Sequence, residues 1–108
     1  MTNPTSKIIL ITGASCGIGE ATARHLAVLG HQVVLGERRT DRIEAIANAI
    51  VDAGGTALAH ELDVTDFESV KAFVAAAHRQ FGRIDVLVDN AGVMPLSFMA
   101  ELLVHEWN

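Results

Sequence analysis

The segment TGASCGIG, residues 12–19, places Gly13, Gly17 and Gly19 between an apolar run and a stretch with helical spacing. Glycines at such a junction permit a tight turn and a close approach of phosphate to the backbone, and the first amides of a helix attract an anion. The spacing G-x-x-x-G-x-G is a weak signal by itself, because a turn that binds nothing also needs glycine. In this context it predicts a pyrophosphate turn, where Gly13 turns the chain, Gly17 faces the anion and Gly19 lets the helix pack against the sheet.

The rest of the chain predicts the elements that would position this turn. Apolar runs without strict alternation are typical of strands buried on both faces of a parallel sheet. Stretches of helical spacing separate these runs and end near Gly30, Gly54 and Gly82. Alternating strands and helices predict a doubly wound α/β fold. The strands are expected at residues 7–12, 31–36, 56–62 and 84–88.

Side chains that cap helices predict where the later helices begin. Asp41 with Glu44 resembles a capping pair, and Thr65-x-x-Glu68 has the pattern of a capping box. Ser97 is expected to cap a last helix that continues to residue 108.

Composition limits the classes of function. A chain of 108 residues that is 50% apolar is expected to form one domain. Its net charge of −5, with no basic run longer than Arg38–Arg39, argues against nucleic acid or an anionic membrane as partner. The single cysteine, Cys16, excludes an internal disulfide and a multi-cysteine metal site. The five histidines have no ligand spacing, so no metal site is predicted.

The N-terminus predicts a cytoplasmic protein without a membrane span. Residues 1–6 are polar and are expected to be flexible. The apolar run that follows is shorter than a secretory signal, and no run approaches the ~20 residues of a transmembrane helix.

Three motifs at predicted strand ends resemble those of the short-chain dehydrogenase/reductase family. They are ITGASCGIG, LDVTD at residues 62–66 and DNAG at residues 89–92, and the likeness extends over residues 7–108. The resemblance implies a Rossmann-like sheet with strand order 3-2-1-4 and flanking helices. It also implies an oxidoreductase that interconverts an alcohol and a carbonyl by hydride transfer, with NAD or NADP as cofactor.

The resemblance assigns the glycine turn to one part of the dinucleotide. Gly13, Ser15, Cys16, Gly17 and Ile18 would surround the pyrophosphate and the adenosine ribose.

The other two motifs would hold the two ends of the cofactor. Asp63 and Val64 look like the pair that reads adenine, since adenine presents a donor beside an acceptor. Asp63 can also act as an acidic residue ahead of a helix. Asn90, Ala91 and Gly92 resemble the loop beside the ribose and the nicotinamide.

The end of the second strand leaves the choice between NAD and NADP open. Glu37 could accept from both ribose hydroxyls and repel a 2′-phosphate, whereas Arg38 could pair with that phosphate. Arg38 and Arg39 can also be read as a solvated start of the next helix. Cys16 stands where NADP users of the family often have a basic residue, and Asp89 replaces the usual Asn of its motif.

No catalytic residue is assigned. The family uses a tyrosine with a lysine four residues later, but the chain has no tyrosine, and Lys7 and Lys71 lie in other elements. We therefore expect a partial cofactor-binding domain over residues 7–108 that is inactive alone and self-associates through its last helix or an open sheet edge. The alternatives are a non-catalytic dinucleotide-binding or sensing module and, less favoured, a site for another adenine nucleotide such as S-adenosylmethionine.

Overall fold

The computed structural model describes residues 6–14 and 17–90. Four strands are all parallel, in the order β3-β2-β1-β4. This confirms the predicted doubly wound, Rossmann-like sheet with its 3-2-1-4 order. In chain order the elements are β1 Ile8–Thr12, α1 Gly17–Val28, β2 Gln32–Glu37, α2 Thr40–Asp52, β3 Thr56–Glu61, α3 Phe67–Phe81 and β4 Val86–Asp89.

Strand β1 lies in the centre of the described sheet and is buried along its whole length. Successive side chains of a strand point to opposite faces, so β1 supplies apolar groups to two cores. Ile8 and Leu10 pack with Phe73 and other residues of α3. Ile9 and Ile11 pack with α1 and α2 on the other face. The apolar run without alternation therefore reflects a strand covered on both sides.

The start of α3 differs from the predicted capping box. The N-cap is Asp66, whose side chain accepts a hydrogen bond from the Glu68 amide at 3.1 Å. The Thr65 hydroxyl is not available for this role, because it donates to Asp63 Oδ1 at 2.6 Å. The helix ends as expected at Gly82, whose φ of +83° is in the left-handed region.

The start of α2 also differs from the prediction. Arg39 is the N-cap and makes no side-chain capping bond, so Asp41 and Glu44 lie inside the helix. Asp41 is in the first turn, where a negative charge still interacts favourably with the helix dipole.

Strand β4 begins later than the predicted residue 84, because Asp85 pairs with β1 through its side chain as well as its backbone. The Asp85 carboxylate accepts from the Ile8 amide at 2.8 Å, and the Asp85 amide donates to the Ile8 carbonyl at 2.9 Å. Arg83 donates to the same carboxylate and to the Ser6 carbonyl. Ser6 is buried, whereas the other residues predicted to be flexible, 1–5, lie outside the described residues.

The predicted last helix from Ser97 also lies outside the described residues. Within the described residues, no helix combines the length and the apolar composition needed to span a bilayer.

Candidate functional site

The carboxyl ends of the four strands are joined side by side beyond the regular ladder. The strand ends therefore run in the order Asp63, Glu37, Gly13, Asn90 along one edge. In a doubly wound sheet, ligands bind at this edge where the strand order reverses, which here is between β1 and β4. The joining bonds run from Leu62 N to the Glu37 carbonyl (3.0 Å), from Gly13 N to the Gly36 carbonyl (3.0 Å) and from Asn90 N to the Thr12 carbonyl (3.2 Å).

The glycine turn has one closed side and one open side. Gly13 has a φ of +65°, which other residues rarely adopt. A Cβ on Gly19 would contact the Gly13 carbonyl oxygen and lie 2.9 Å from Ala14 Cα, so the helix starts directly against the turn. At Gly17 no described atom lies within 4 Å of such a Cβ. The backbone of Gly17 therefore borders open space.

Helix α1 begins at this open side. The first amides of an α-helix have no partner within the helix, and the helix dipole makes this end positive. Ile18, the second residue of α1, leaves 74% of its surface exposed. An anion beside Gly17 would thus meet the positive end of the helix and an apolar side chain.

Asp63 is held in a fixed orientation by the chain that follows it. Oδ1 accepts from the Thr65 amide at 3.0 Å and from the Thr65 hydroxyl at 2.6 Å, and the Asp63 amide donates to Ser69 Oγ at 2.9 Å. The Thr65 hydroxyl and then the Thr65 amide lower the pKa of Asp63, and the charge of Arg38 lowers it further. Both bonds end on Oδ1, which leaves Oδ2 as an acceptor at the sheet edge.

The residues after β2 lie next to Asp63. Glu37 is half-buried, and its Oε1 accepts from the Arg38 amide at 3.0 Å. Arg38 and Arg39 have exposed side chains. Because the charge of Arg38 acts on the Asp63 carboxyl, the guanidinium and the carboxylate belong to one electrostatic environment.

On the other side of Gly13, a hydrogen bond links β1 to β4. The fully buried Thr12 hydroxyl donates to Asp89 Oδ1 at 2.7 Å. The Asn90 side-chain nitrogen, Nδ2, is buried and has no hydrogen-bond partner among residues 6–14 and 17–90. A buried amide nitrogen without a partner costs about 1–3 kcal/mol, so such a group is typical of a site that receives a ligand.

The structure places six of the predicted residues along this edge, in addition to Gly13 and Asn90: Gly17, Ile18, Glu37, Arg38, Asp63 and Val64. Ser15, Cys16, Ala91 and Gly92 lie outside the described residues. Val64 is partly buried and packs against the core beneath α3.

Sequence reasoning missed three residues that orient the site: Thr12, Thr65 and Ser69. The pattern at Thr65 suggested a cap, and nothing in the spacing indicated that its hydroxyl serves Asp63 instead.

No three His, Cys, Asp or Glu side chains of residues 6–14 and 17–90 come together as metal ligands would. A cavity of about 500 Å³ lies between the C-terminal ends of α1 and α2, lined by Val28, Ile50 and Gly54 among others. This cavity lies at the amino ends of the strands, opposite to the carboxyl edge, so it is not part of the candidate site.

Known proteins share the sequence and the fold of this edge. The family model for short chain dehydrogenases matches residues 7–108. An uncharacterized oxidoreductase of Staphylococcus saprophyticus is 44% identical over 108 residues, which is 100% of this chain and 43% of that protein. A monensin polyketide synthase putative ketoacyl reductase of Streptomyces virginiae is 47% identical over 108 residues, 100% of this chain and 41% of that protein.

A solved structure gives the same result. The alcohol dehydrogenase of the archaeon Thermococcus sibiricus, complexed with 5-hydroxy-NADP, is 44% identical with a TM-score of 0.73, over 76% of this chain and 35% of that chain. The chain thus spans about two fifths of the length of the curated relatives it matches. The family model, the sequence relatives and the solved structure agree, and the chain belongs to the short-chain dehydrogenase/reductase family.

Proposed function

We propose that residues 7–108 bind a nicotinamide dinucleotide along the carboxyl edge of the sheet, as the cofactor-binding portion of an oxidoreductase. The parent reaction is the interconversion of an alcohol and a carbonyl by hydride transfer. The observation that carries the proposal is the open backbone face of Gly17 at the start of α1, next to the strand-end residues Asp63 and Asn90. The donors and acceptors of this edge are proposed to match the successive parts of the cofactor.

The pyrophosphate is proposed to lie against Gly17. The amides at the start of the helix are proposed to donate to its oxygens, and the positive end of the helix dipole to stabilise its charge. From the family resemblance, Gly13, Ser15, Cys16 and Ile18 are proposed to complete this subsite. A side chain at position 17 would occupy the space that the phosphate needs.

Adenine is proposed to pair with Asp63 and Val64. Thr65 holds the Asp63 carboxylate through Oδ1 and keeps its pKa low, so an ionised Oδ2 accepts from the exocyclic amine. The Val64 amide donates to the adjacent ring nitrogen. An acceptor followed by a donor complements the exocyclic amine and the ring nitrogen that adenine presents side by side.

The nicotinamide riboside is proposed to lie beside Asn90, Ala91 and Gly92. The buried Asn90 Nδ2 group lacks a partner among the described residues and supplies a donor to this part of the cofactor. Thr12 and Asp89 fix the strand ends on which Asn90 is placed. When bound, the nicotinamide ring supplies or accepts the hydride.

The adenosine ribose is proposed to lie between Glu37 and Arg38. Glu37 Oε1 accepts from the Arg38 amide, which holds the carboxylate at the end of β2, and this carboxylate is proposed to accept from the ribose hydroxyls. Arg38 offers a guanidinium that suits a 2′-phosphate. The two side chains favour NAD and NADP respectively, so the site is proposed for either cofactor.

The 108 residues are proposed to bind the cofactor but not to provide the proton donor of the reaction. They include no tyrosine, and the hydroxyl of a tyrosine would be the general acid or base for the carbonyl. We expect cofactor binding and no alcohol oxidation from these residues alone. The same absence favours the second candidate, a non-catalytic module that senses the dinucleotide.

Calorimetric titration of the chain with NAD, NADP and S-adenosylmethionine tests the binding proposal. We expect NAD or NADP to bind and S-adenosylmethionine to bind at least tenfold more weakly. Asp63→Asn keeps an oxygen for Thr65 but replaces the second acceptor by a donor, so it should weaken binding of both dinucleotides.

Asp66→Asn is the matched control. It removes the same charge three residues away, where the side chain caps α3. Equal losses in the two variants would contradict the proposed role of Asp63. Tightest binding of S-adenosylmethionine would contradict the proposal that the ligand is a nicotinamide dinucleotide.

A further inference from the structure

Helices α1 and α2 are connected at their first turns by a three-residue ion network. Glu20 Oε2 accepts a hydrogen bond from Arg24 Nε at 3.0 Å and lies 2.9 Å from Arg24 Nη2, one turn along α1. Glu20 Oε1 accepts from Arg42 Nη2 at 3.2 Å, across the gap to α2. Both helices begin at the carboxyl edge of the sheet, so the Glu20–Arg42 contact lies beside the candidate site.

The network carries an excess positive charge. The pKa of Glu20 is held below its ordinary value, chiefly by the hydrogen bond from Arg24, so this carboxylate is ionised at neutral pH. One negative charge faces two guanidinium groups. Arg24 contacts Glu20 through two nitrogens, at 3.0 Å and 2.9 Å, whereas Arg42 contacts it through one, at 3.2 Å, and leaves 61% of its side chain exposed. Arg42 is the more weakly held of the two cations.

Along the chain, Arg42 is also closer than Arg24 to Glu37, which is proposed to contact the ribose. It lies in the first turn of α2, which begins three residues after Glu37 at the end of β2. Arg38, in the same connection, already acts on the carboxyl of Asp63. Arg24 belongs to the middle of α1, and it borders the cavity at the far ends of α1 and α2.

We propose that Arg42 is a specificity-determining residue for the cofactor 2′ position, and that Glu20 is a positioning residue that competes with a 2′-phosphate for it. The inference rests on the proposed binding of a nicotinamide dinucleotide at this edge. With Glu20 in place, Arg42 is held towards α1 and part of its charge is neutralised. A dianionic 2′-phosphate recruits the same guanidinium, whereas the 2′-hydroxyl of NAD leaves it on Glu20.

The test is the ratio of the Kd for NAD to the Kd for NADP, measured by calorimetry on the chain and its variants. Glu20→Gln should raise this ratio by about threefold to tenfold, because a released guanidinium attracts the phosphate at surface dielectric. Arg42→Gln should lower it by a similar factor. Arg24→Gln is the matched control, since it removes an identical charge from the other side of Glu20. It leaves Glu20 to Arg42 alone, so it should lower the ratio slightly, by less than twofold.

A double variant shows whether Glu20 acts through Arg42. In Glu20→Gln/Arg42→Gln the ratio should equal that of Arg42→Gln alone, and the effect of Glu20→Gln should shrink in high salt. The inference is overturned if Glu20→Gln leaves the ratio unchanged, if it raises the ratio equally without Arg42, or if Arg24→Gln lowers the ratio as much as Arg42→Gln. Failure of both dinucleotides to bind the unaltered chain would instead refute the proposed function.

Discussion

Substitution of the two glycines at the start of α1 by alanine should separate cofactor binding from stability. Gly17 and Gly19 are two residues apart in the same helical turn. A Cβ at position 17 meets no described atom within 4 Å, whereas a Cβ at position 19 meets the backbone of Gly13 and Ala14. The added methyl group would therefore meet the proposed ligand in the Gly17 variant and the protein backbone in the Gly19 variant.

The structure predicts that the two substitutions change the free energy of unfolding in opposite directions. Gly17 does not have a positive φ, so alanine fits its backbone and restricts the unfolded chain, which stabilises by about 0.4–1 kcal/mol. At Gly19 the new methyl group would lie 2.9 Å from Ala14 Cα and closer still to the Gly13 carbonyl oxygen. Both neighbours are backbone atoms that cannot turn aside. Overpacking of this kind costs about 1–3 kcal/mol.

Urea unfolding measures the free energy of unfolding, and calorimetry measures the affinity for NAD and NADP. Gly17→Ala should unfold at an equal or higher urea concentration and lose at least tenfold in affinity. Gly19→Ala should lower the free energy of unfolding, and its melting temperature should fall by about 4–8 °C per kcal/mol. The reasoning is refuted if Gly17→Ala binds as tightly as the unaltered chain, or if Gly17→Ala is the less stable of the two.

Three further predictions concern the sheet. Thr12→Val should lower the free energy of unfolding by about 1–3 kcal/mol in urea, because it leaves Asp89 Oδ1 without its buried donor, whereas Thr12→Ser, which keeps the hydroxyl, should cost clearly less. The Ile8 amide, followed by Arg83, lowers the pKa of Asp85 in the folded chain, so its stabilising contribution is complete above the ordinary value of 3.8 and is lost as the pH falls through the lower folded value. Asp85→Asn should therefore flatten the urea stability profile between pH 5 and pH 2, and an unchanged profile would assign the acid sensitivity to other carboxyls. The chain of 108 residues should elute from size exclusion as an oligomer, since β4 pairs with β1 alone in the described sheet and Val86 is 39% exposed, and a stable monomer would contradict this.

The sequence predicted most reliably what depends on neighbouring residues. The continuous apolar run of β1 indicated a strand covered on both faces, and Gly82 indicated the end of α3. The helix starts were less predictable because several polar side chains compete for the same amides. Asp63, Thr65 and Asp66 lie within four residues, and only the folded turn decides that Thr65 serves Asp63 while Asp66 caps the helix.

Sequence patterns did not predict contacts between residues that are distant in the chain. Glu20 and Arg42 are 22 residues apart, and neither residue belongs to a motif. The Asn90 side-chain nitrogen, which is buried without a hydrogen-bond partner in the described part of the chain, likewise reflects tertiary packing that no local spacing indicates. Local spacing located the candidate site, and tertiary packing determined which atoms in it remain available.

The pairing of β1 with β4 also determines when, during synthesis, β1 gains its second neighbouring strand. Three hydrogen bonds between the two segments, from Ile8 to Asp85, from Thr12 to Asp89 and from Arg83 to Ser6, each connect residues 77 positions apart. At a translation rate of about 5–20 residues per second, β4 follows β1 from the ribosome after roughly 4–15 seconds. Throughout that interval one edge of the most apolar strand in the described chain has no neighbour, so the nascent protein is most vulnerable to aggregation before its last described strand is made.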